Sequence, residues 1–190
     1  MPSLVVVTIQ SAILKAGANI TAQTLSQWGT EAPAEMDWAR VVEFAVFGLV
    51  SAPLVSLWQS VLEETFPTQN GVVGPTPEPN PHAQSSTRKS DEQYRVNWCN
   101  VLVKLLLDQT IGLCFTNVVF ITCTTGARLQ STSLLVREIE ARIVGIMKAG
   151  WRIWPLVALF NFLCVPLQWR VAVASIIGFG WNIILSFLSK

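Results

Sequence analysis

Apolar stretches of bilayer-spanning length recur along this chain, and they constrain its fold more than any other feature. Crossing the hydrocarbon core takes roughly 20 consecutive, mostly apolar residues at about 1.5 Å each. In lipid, every backbone N–H and C=O must find its partner within the segment, so such stretches become helices. A first span is expected over about Leu4 to Leu25, a second over Trp38 to Leu62 and a third over Cys99 to Thr122. Trp151 to Leu188 holds two further apolar runs, divided near Pro166, Gln168 and Arg170, where a helix should break or kink. Whether the final run spans on its own or pairs with its predecessor sets the count at four or five. Between Arg128 and Lys148 the character changes. Leu134, Leu135, Ile139, Ile143 and Ile146 are interleaved there with Arg137, Glu138, Glu140, Arg142 and Lys148, the pattern of an amphipathic helix lying at the membrane interface. The expected fold is therefore all-α: an integral membrane bundle of four or five transmembrane helices with an additional amphipathic helix.

Composition supports this reading by what it lacks. Only 13% of the 190 residues are charged, against the roughly 25% of a typical soluble domain. A water-facing surface would be under-supplied, and the expected partner is membrane lipid. The balance of 13 Lys and Arg against 12 Asp and Glu excludes nucleic acid, which is held by clustered cations. Met1 to Val7 contains no basic residue, so the first apolar run reads as retained structure rather than a cleaved leader. Residues 66–95 carry five of the ten prolines, Pro67, Pro75, Pro77, Pro79 and Pro81, among Gly, Ser, Gln and charges. This is a flexible linker interrupting one membrane domain over 1–190, and an exposed segment through which a protein partner could dock. Trp38, Trp58, Trp98, Trp151, Trp154 and Trp169 fall near span ends, as an aromatic belt does.

Polar residues inside the spans are the candidates for function. Lys15, Asn19 and Gln23 are successive i, i+4 neighbours and form a polar stripe on the first span, with Gln10 close to it. Lipid cannot satisfy that stripe, because an unpaired polar group in hydrocarbon costs several kcal/mol. In the third span Lys104 and Asp108 are four apart, face the same way and are expected to neutralise each other, with Gln109 extending the patch. Two readings stay open for that patch: a charge pair buried between helices, or the wall of a solute path. Asn161 must bond another helix or face a cavity. Arg40 and Glu43 are expected to reach the headgroups, and Arg152 and Arg170 to serve as anchors at a break. In the second span Gly48 and Ala52, four apart, allow close helix approach, and Pro53 should kink it.

Enzyme signatures are missing. His82, the single histidine, lies in the linker, and no phosphate loop, GxSxG elbow or HExxH helix occurs. Cys99, Cys114, Cys123 and Cys164 show no CxxC spacing. No catalytic residue, metal site or cofactor is expected.

The carboxyl end reads Trp151-x-x-Trp154-Pro155, Asn161-Phe162, Val165-Pro166, Arg170 and Trp181-Asn182. With Lys104, Asp108 and Gln109, and with Asp37, Arg40, Gly48, Pro53 and Trp58 upstream, this ordered pattern resembles the Mpv-seventeen/22-kDa peroxisomal membrane protein family. The resemblance covers nearly the whole chain outside the linker. It departs at Ala18-Asn19, where the family has Gly-Asp, at Cys114, where it has a proline, and at Leu57 and Gln59, where His and Tyr flank the tryptophan. The resemblance implies a small organelle membrane protein that forms a pore for small solutes, or one that organises the membrane and recruits partners. The long insertion before the third span fits a fungal member. The peroxisomal membrane is favoured, with the mitochondrial inner membrane as the alternative. A single bundle leaves little room for a lumen, so a path calls for a homo-oligomer, or for the Lys15 stripe to face Lys104 and Asp108 within one subunit.

Overall fold

A polar residue opens each of the first three long apolar stretches, and its side chain sets where the helix starts. The computed structural model describes residues 3–28, 35–70, 95–126, 128–129 and 131–188, leaving aside the side chains of 70, 95 and 182–188. In α1 (Leu4–Gln27) the Ser3 hydroxyl accepts the Val6 N–H at 3.3 Å. In α2 (Trp38–Thr65) the Asp37 carboxylate accepts the Arg40 N–H at 3.0 Å. Asn97 does the same for α3 (Trp98–Leu107), accepting the Asn100 N–H at 3.2 Å. Each cap satisfies a donor that the first turn of a helix leaves free.

Helix α3 runs through a five-residue π turn, Asp108–Gly112, into α4 (Leu113–Thr125), so 28 residues continue from Trp98 to Thr125. Then come α5 (Thr132–Gly150), α6 (Trp154–Cys164), a 3-10 turn (Leu167–Trp169) and α7 (Arg170–Leu188). Two-residue strands β1 (Gln69–Asn70) and β2 (Arg95–Val96) pair antiparallel and bring the linker ends together. Residues 71–94, which contain most of the linker and its proposed docking role, lie outside the described residues.

The all-α membrane bundle expected from the sequence is what forms. Among the described residues α1, α2 and the α3–α4 run are long and apolar enough to cross a bilayer, and α5 with α6, bent by 60°, counts as a fourth broken span. The last apolar region is two helices, α6 and α7, parted at Pro166, whose ring cannot continue the ladder. The amphipathic segment begins at Thr132, and Arg128 is drawn into the turn before it.

Packing is inverted relative to a water-soluble domain. Among the described residues eleven polar or charged side chains are buried beside twelve apolar ones, while Leu4, Ile13, Val42, Leu57, Leu106, Leu156 and Ile176 all lie outward. Outward apolar surface is what lipid solvates; inward polar groups must then satisfy one another. Helix α1 lies against α2 and α7, α2 against α4, and α4 against α5. The belt is only partly what the sequence suggested. Trp28, Trp38, Trp98, Trp151 and Trp169 are exposed near helix ends, but Trp58 turns inward to Asp108, and Trp154 packs against Gly150 and Gly178. Gln10 is likewise exposed and takes no part in the inner stripe.

The α1–α2 contact depends on Gly48. A Cβ there would lie 2.7 Å from the backbone nitrogen of Ala12, and backbone cannot swing away as a side chain can. Gly48→Ala is therefore expected to lower the thermal midpoint in detergent, at a cost of about 1–3 kcal/mol. Gly145→Ala in α5, where nothing lies within 4 Å, is expected to hold or raise the midpoint through helix propensity. An unchanged midpoint for Gly48→Ala would contradict the close approach.

Candidate functional site

Four charged groups meet inside the bundle, and one carboxylate organises three of them. Glu63, at the end of α2, accepts hydrogen bonds from Lys104 of α3 and Arg170 of α7, both at 2.8 Å to the same oxygen, Oε2. Its Oε1 accepts the Thr68 N–H at 2.8 Å, and the Thr68 hydroxyl accepts from Lys104. Lys104 is fully buried and Arg170 is 5% exposed. The Phe162 ring of α6 lies 5.1 Å from the Lys104 ammonium and 5.3 Å from the Arg170 guanidinium, offering its π face to both cations. Two cations on one carboxylate leave the trio at net +1, and Asp108 nearby brings the group to neutrality.

This overturns two expectations. Lys104 does not pair with Asp108: the i, i+4 rule describes neighbours on one helix, and here Glu63 across the interface offers Lys104 a closer acceptor. Arg170 is not a headgroup anchor, because its Nε also donates to the Val165 carbonyl and the whole side chain is enclosed.

Asp108 has its own partners. Trp58 Nε1 and Gln59 Nε2 donate to its Oδ1 at 3.2 and 3.0 Å, and Gln109 Nε2 donates to its Oδ2 at 3.1 Å. The π turn starts at this residue. Such turns widen a helix and leave carbonyls off the regular ladder, a frequent device at functional sites. The Gln109 carbonyl accepts from the Trp151 indole at 3.0 Å, and the Leu106 carbonyl from the Thr110 hydroxyl at 2.6 Å. Gly112 closes the turn where a Cβ would lie 2.6 Å from Trp58 Nε1, so its missing side chain clears the indole that holds Asp108.

On α1, Lys15 donates to the Ser51 hydroxyl at 2.5 Å and lies 3.9 Å from the Phe47 ring centre. No carboxylate is within ion-pair distance of it among the described residues. Gln23 donates to Asn19 at 2.8 Å and to the Asp37 carbonyl at 3.0 Å, tying α1 to the start of α2. The stripe thus divides: Lys15 lines a cavity of about 720 Å³, Asn19 a smaller one of about 210 Å³, and Gln23 is a helix tie.

The larger cavity brings together Lys15, Asp108, Gln109 and Asn161 from the candidates read in the sequence, and adds Ser51, Gln59, Asn117, Arg170 and Ser175. Lys104 does not line it. Phe162, Trp154 and Trp181 of the carboxyl-end motif do, while Trp151 supports it through the π turn. Pro155 opens α6 and Pro166 ends the chain's run before α7; the side chain of Asn182 is outside the described residues. Most of the wall is apolar. Four buried polar atoms have no hydrogen-bond partner among the described residues, Gln59 Oε1, Gln109 Oε1, Asn117 Nδ2 and Asn161 Oδ1, and all four belong to residues of this one wall. Asn161 thus does both things open to it: its Nδ2 donates to the Arg170 carbonyl at 3.3 Å, and its oxygen is left free.

At the α2 entrance Arg128 joins Glu43 at 2.6 Å and Asp37 at 3.4 Å. Glu43 is therefore enclosed in an ion pair rather than extended to headgroups, whereas Arg40 stays exposed beside Asp37. The Arg40 N–H, and then the Arg128 guanidinium, hold the Asp37 carboxyl below its usual range. Glu43 in turn raises the affinity of Arg128 for its proton.

Fold and site together define a polytopic helical membrane protein with its charges gathered inside the bundle around a polar-edged cavity. The family model described as Mpv17 / PMP22 family matches residues 127–186. PXMP2/4 family protein 3 of Dictyostelium discoideum is 29% identical over 155 residues, covering 82% of this chain and 70% of that protein. Protein sym1 of Schizosaccharomyces pombe is 25% identical over 147 residues, 77% of this chain, which spans 59% of that relative. Mitochondrial inner membrane protein Mpv17 of Caenorhabditis briggsae is 26% identical over 156 residues, 81% of this chain and 71% of its own length. No solved structure matches the chain. The chain is an integral membrane protein, similar to Mpv17 / PMP22 family proteins over most of its length and matching the family model over residues 127–186.

Glu63→Gln leaves two enclosed cations without a counter-charge, which costs about 3–5 kcal/mol for a fully buried pair. Because the Glu63 side chain keeps 24% of its exposure, the lower end is expected, read as a depressed thermal midpoint in detergent. Adding Lys104→Met to Glu63→Gln is expected to recover part of the loss. A wild-type midpoint for Glu63→Gln would remove Glu63 as the organising group.

Proposed function

We propose that this chain forms a passive path for small hydrophilic solutes across an organelle membrane. The observation that supports this reading is a cavity of about 720 Å³ among membrane helices, lined by Lys15, Asp108 and four residues, Gln59, Gln109, Asn117 and Asn161, each of which carries a buried polar atom without a hydrogen-bond partner among the described residues. Buried polar groups nearly always find partners, and a cluster without them points to water or a polar solute as the missing partner. The cavity lies within one subunit, among α1, α2, the π turn, α4, α5, α6 and α7, so the path does not need an oligomer to bring Lys15 and Asp108 to one lumen. The peroxisomal membrane is the proposed site and the mitochondrial inner membrane the alternative, matching the printed names of the relatives, which include PXMP2/4 and mitochondrial inner membrane Mpv17.

Purified protein in liposomes is expected to release small solutes faster than empty liposomes do. Asp108→Asn removes the one carboxylate that lines the cavity among the described residues while Lys15, Arg142 and Arg170 remain, so small anions should gain relative to cations. Flux equal to empty liposomes across salts and small metabolites would defeat this reading.

A further inference from the structure

The charges on the cavity wall are not all balanced. Lys15, Arg142 and Arg170 line it against Asp108. Arg170 is bonded at 2.8 Å to Glu63, which also takes Lys104, and Asp108 brings that group to neutrality. Arg142 pairs with Glu138, one turn earlier on α5, at 3.2 Å. Lys15 is the remainder, because no ion pair reaches it among the described residues. Its ammonium donates to the Ser51 hydroxyl at 2.5 Å and lies 3.9 Å from the Phe47 ring centre. Both contacts favour a cation, and neither cancels its charge. Lys15 also keeps part of its surface accessible, whereas Lys104 keeps none. An uncompensated ammonium at a cavity among membrane helices is a place for an anion.

The rest of the wall says what else the anion must carry. Asp108 already receives three hydrogen bonds, from Trp58, Gln59 and Gln109. Ser51 and Gln59, the α2 partners of Lys15 and Asp108, are eight residues apart, about 12 Å along the helix. A ligand with one anionic end can thus sit at Lys15 away from Asp108, while a second anionic end would meet that carboxylate. Elsewhere the lining is apolar, with Leu54, Val55, Phe115, Phe120 and Phe179. A small hydrated anion would give up its water for one ammonium in such surroundings. An aliphatic body offsets that loss by leaving water for the apolar wall.

We propose that this cavity binds an aliphatic monocarboxylate, its carboxylate on Lys15 and its chain along the apolar lining. The volume of about 720 Å³ lies within the usual range for small-molecule sites, about 300–1,000 Å³. This goes beyond the proposed path and does not rest on it, since binding is measurable where nothing crosses.

The probe is octanoate, titrated into the full purified chain in an uncharged detergent while the thermal midpoint is followed; a ligand of the native state raises it saturably. Octanol, octylammonium and acetate at the same concentrations separate the parts of the ligand, and each is expected to raise the midpoint less than octanoate. Lys15→Met should weaken octanoate binding about tenfold or more through loss of the charged donor, and Lys15→Arg should retain most of it. The comparison of the four probes on the wild-type chain decides the matter even where a variant fails to fold. No saturable rise with octanoate overturns the proposal, as does an equal rise with octanol, which marks apolar partition alone. Acetate matching octanoate removes the aliphatic part, and a folded Lys15→Met with wild-type affinity removes Lys15 as the anion's partner. Octanoate binding without liposome flux supports this site and defeats the path; flux without octanoate binding does the reverse.

Discussion

One carboxylate, Glu63, decides where three helices meet. It takes hydrogen bonds from Lys104 of α3 and Arg170 of α7 while rooted in α2, so the positions of those helices are fixed by charge rather than by apolar contact. Between helices in lipid, the hydrophobic effect supplies no attraction, since the tails outside are as apolar as the side chains. Packing and polar contact must do the joining. Removing Glu63 would leave two cations enclosed and opposed, which is why the rest of the site depends on it.

The same constraint shapes the cavity. Once Glu63 has taken Lys104, Asp108 is free to gather Trp58, Gln59 and Gln109, and in doing so it fixes both amides with their NH2 groups toward the carboxylate. The π turn and Gly112 give the Trp58 indole the space it needs. On the opposite side the backbone-to-backbone fit at Gly48 draws α1 against α2 and brings Lys15 to Ser51. Structural pairing and the polar groups on an otherwise apolar cavity wall are thus two results of one requirement, that ionisable groups in hydrocarbon be kept from lipid.

Much of this was legible in the residues. The spans, the amphipathic α5 and the division at Pro166 follow from hydropathy and proline chemistry, and the Lys15, Asp108, Gln109 and Asn161 candidates do converge on one cavity. Pairing across helices was not legible. Lys104 and Asp108 have the spacing of a same-helix pair, and nothing in a single sequence says that Glu63, which looks like the polar end of α2 beside Glu64, reaches across to Lys104. Arg170 after a proline looks like an interfacial anchor until α7 folds back and encloses it. The π turn carries no signal of its own. Its trace is indirect: Gly112 one turn beyond Asp108, where only hydrogen leaves space for Trp58.

The central claim is that water reaches the inner wall of this bundle while the outer wall meets lipid, and thiol accessibility tests it most directly. With Cys99, Cys114, Cys123 and Cys164 replaced by serine, Thr116→Cys and Ala174→Cys place thiols on the cavity wall, and Leu106→Cys and Ile176→Cys place them on the outer apolar face. A thiol reacts as its thiolate, which needs water. In membranes, a small uncharged water-soluble maleimide is expected to label the two cavity positions and spare the two outer ones. Equal labelling at all four, or labelling at the outer pair alone, would contradict the account.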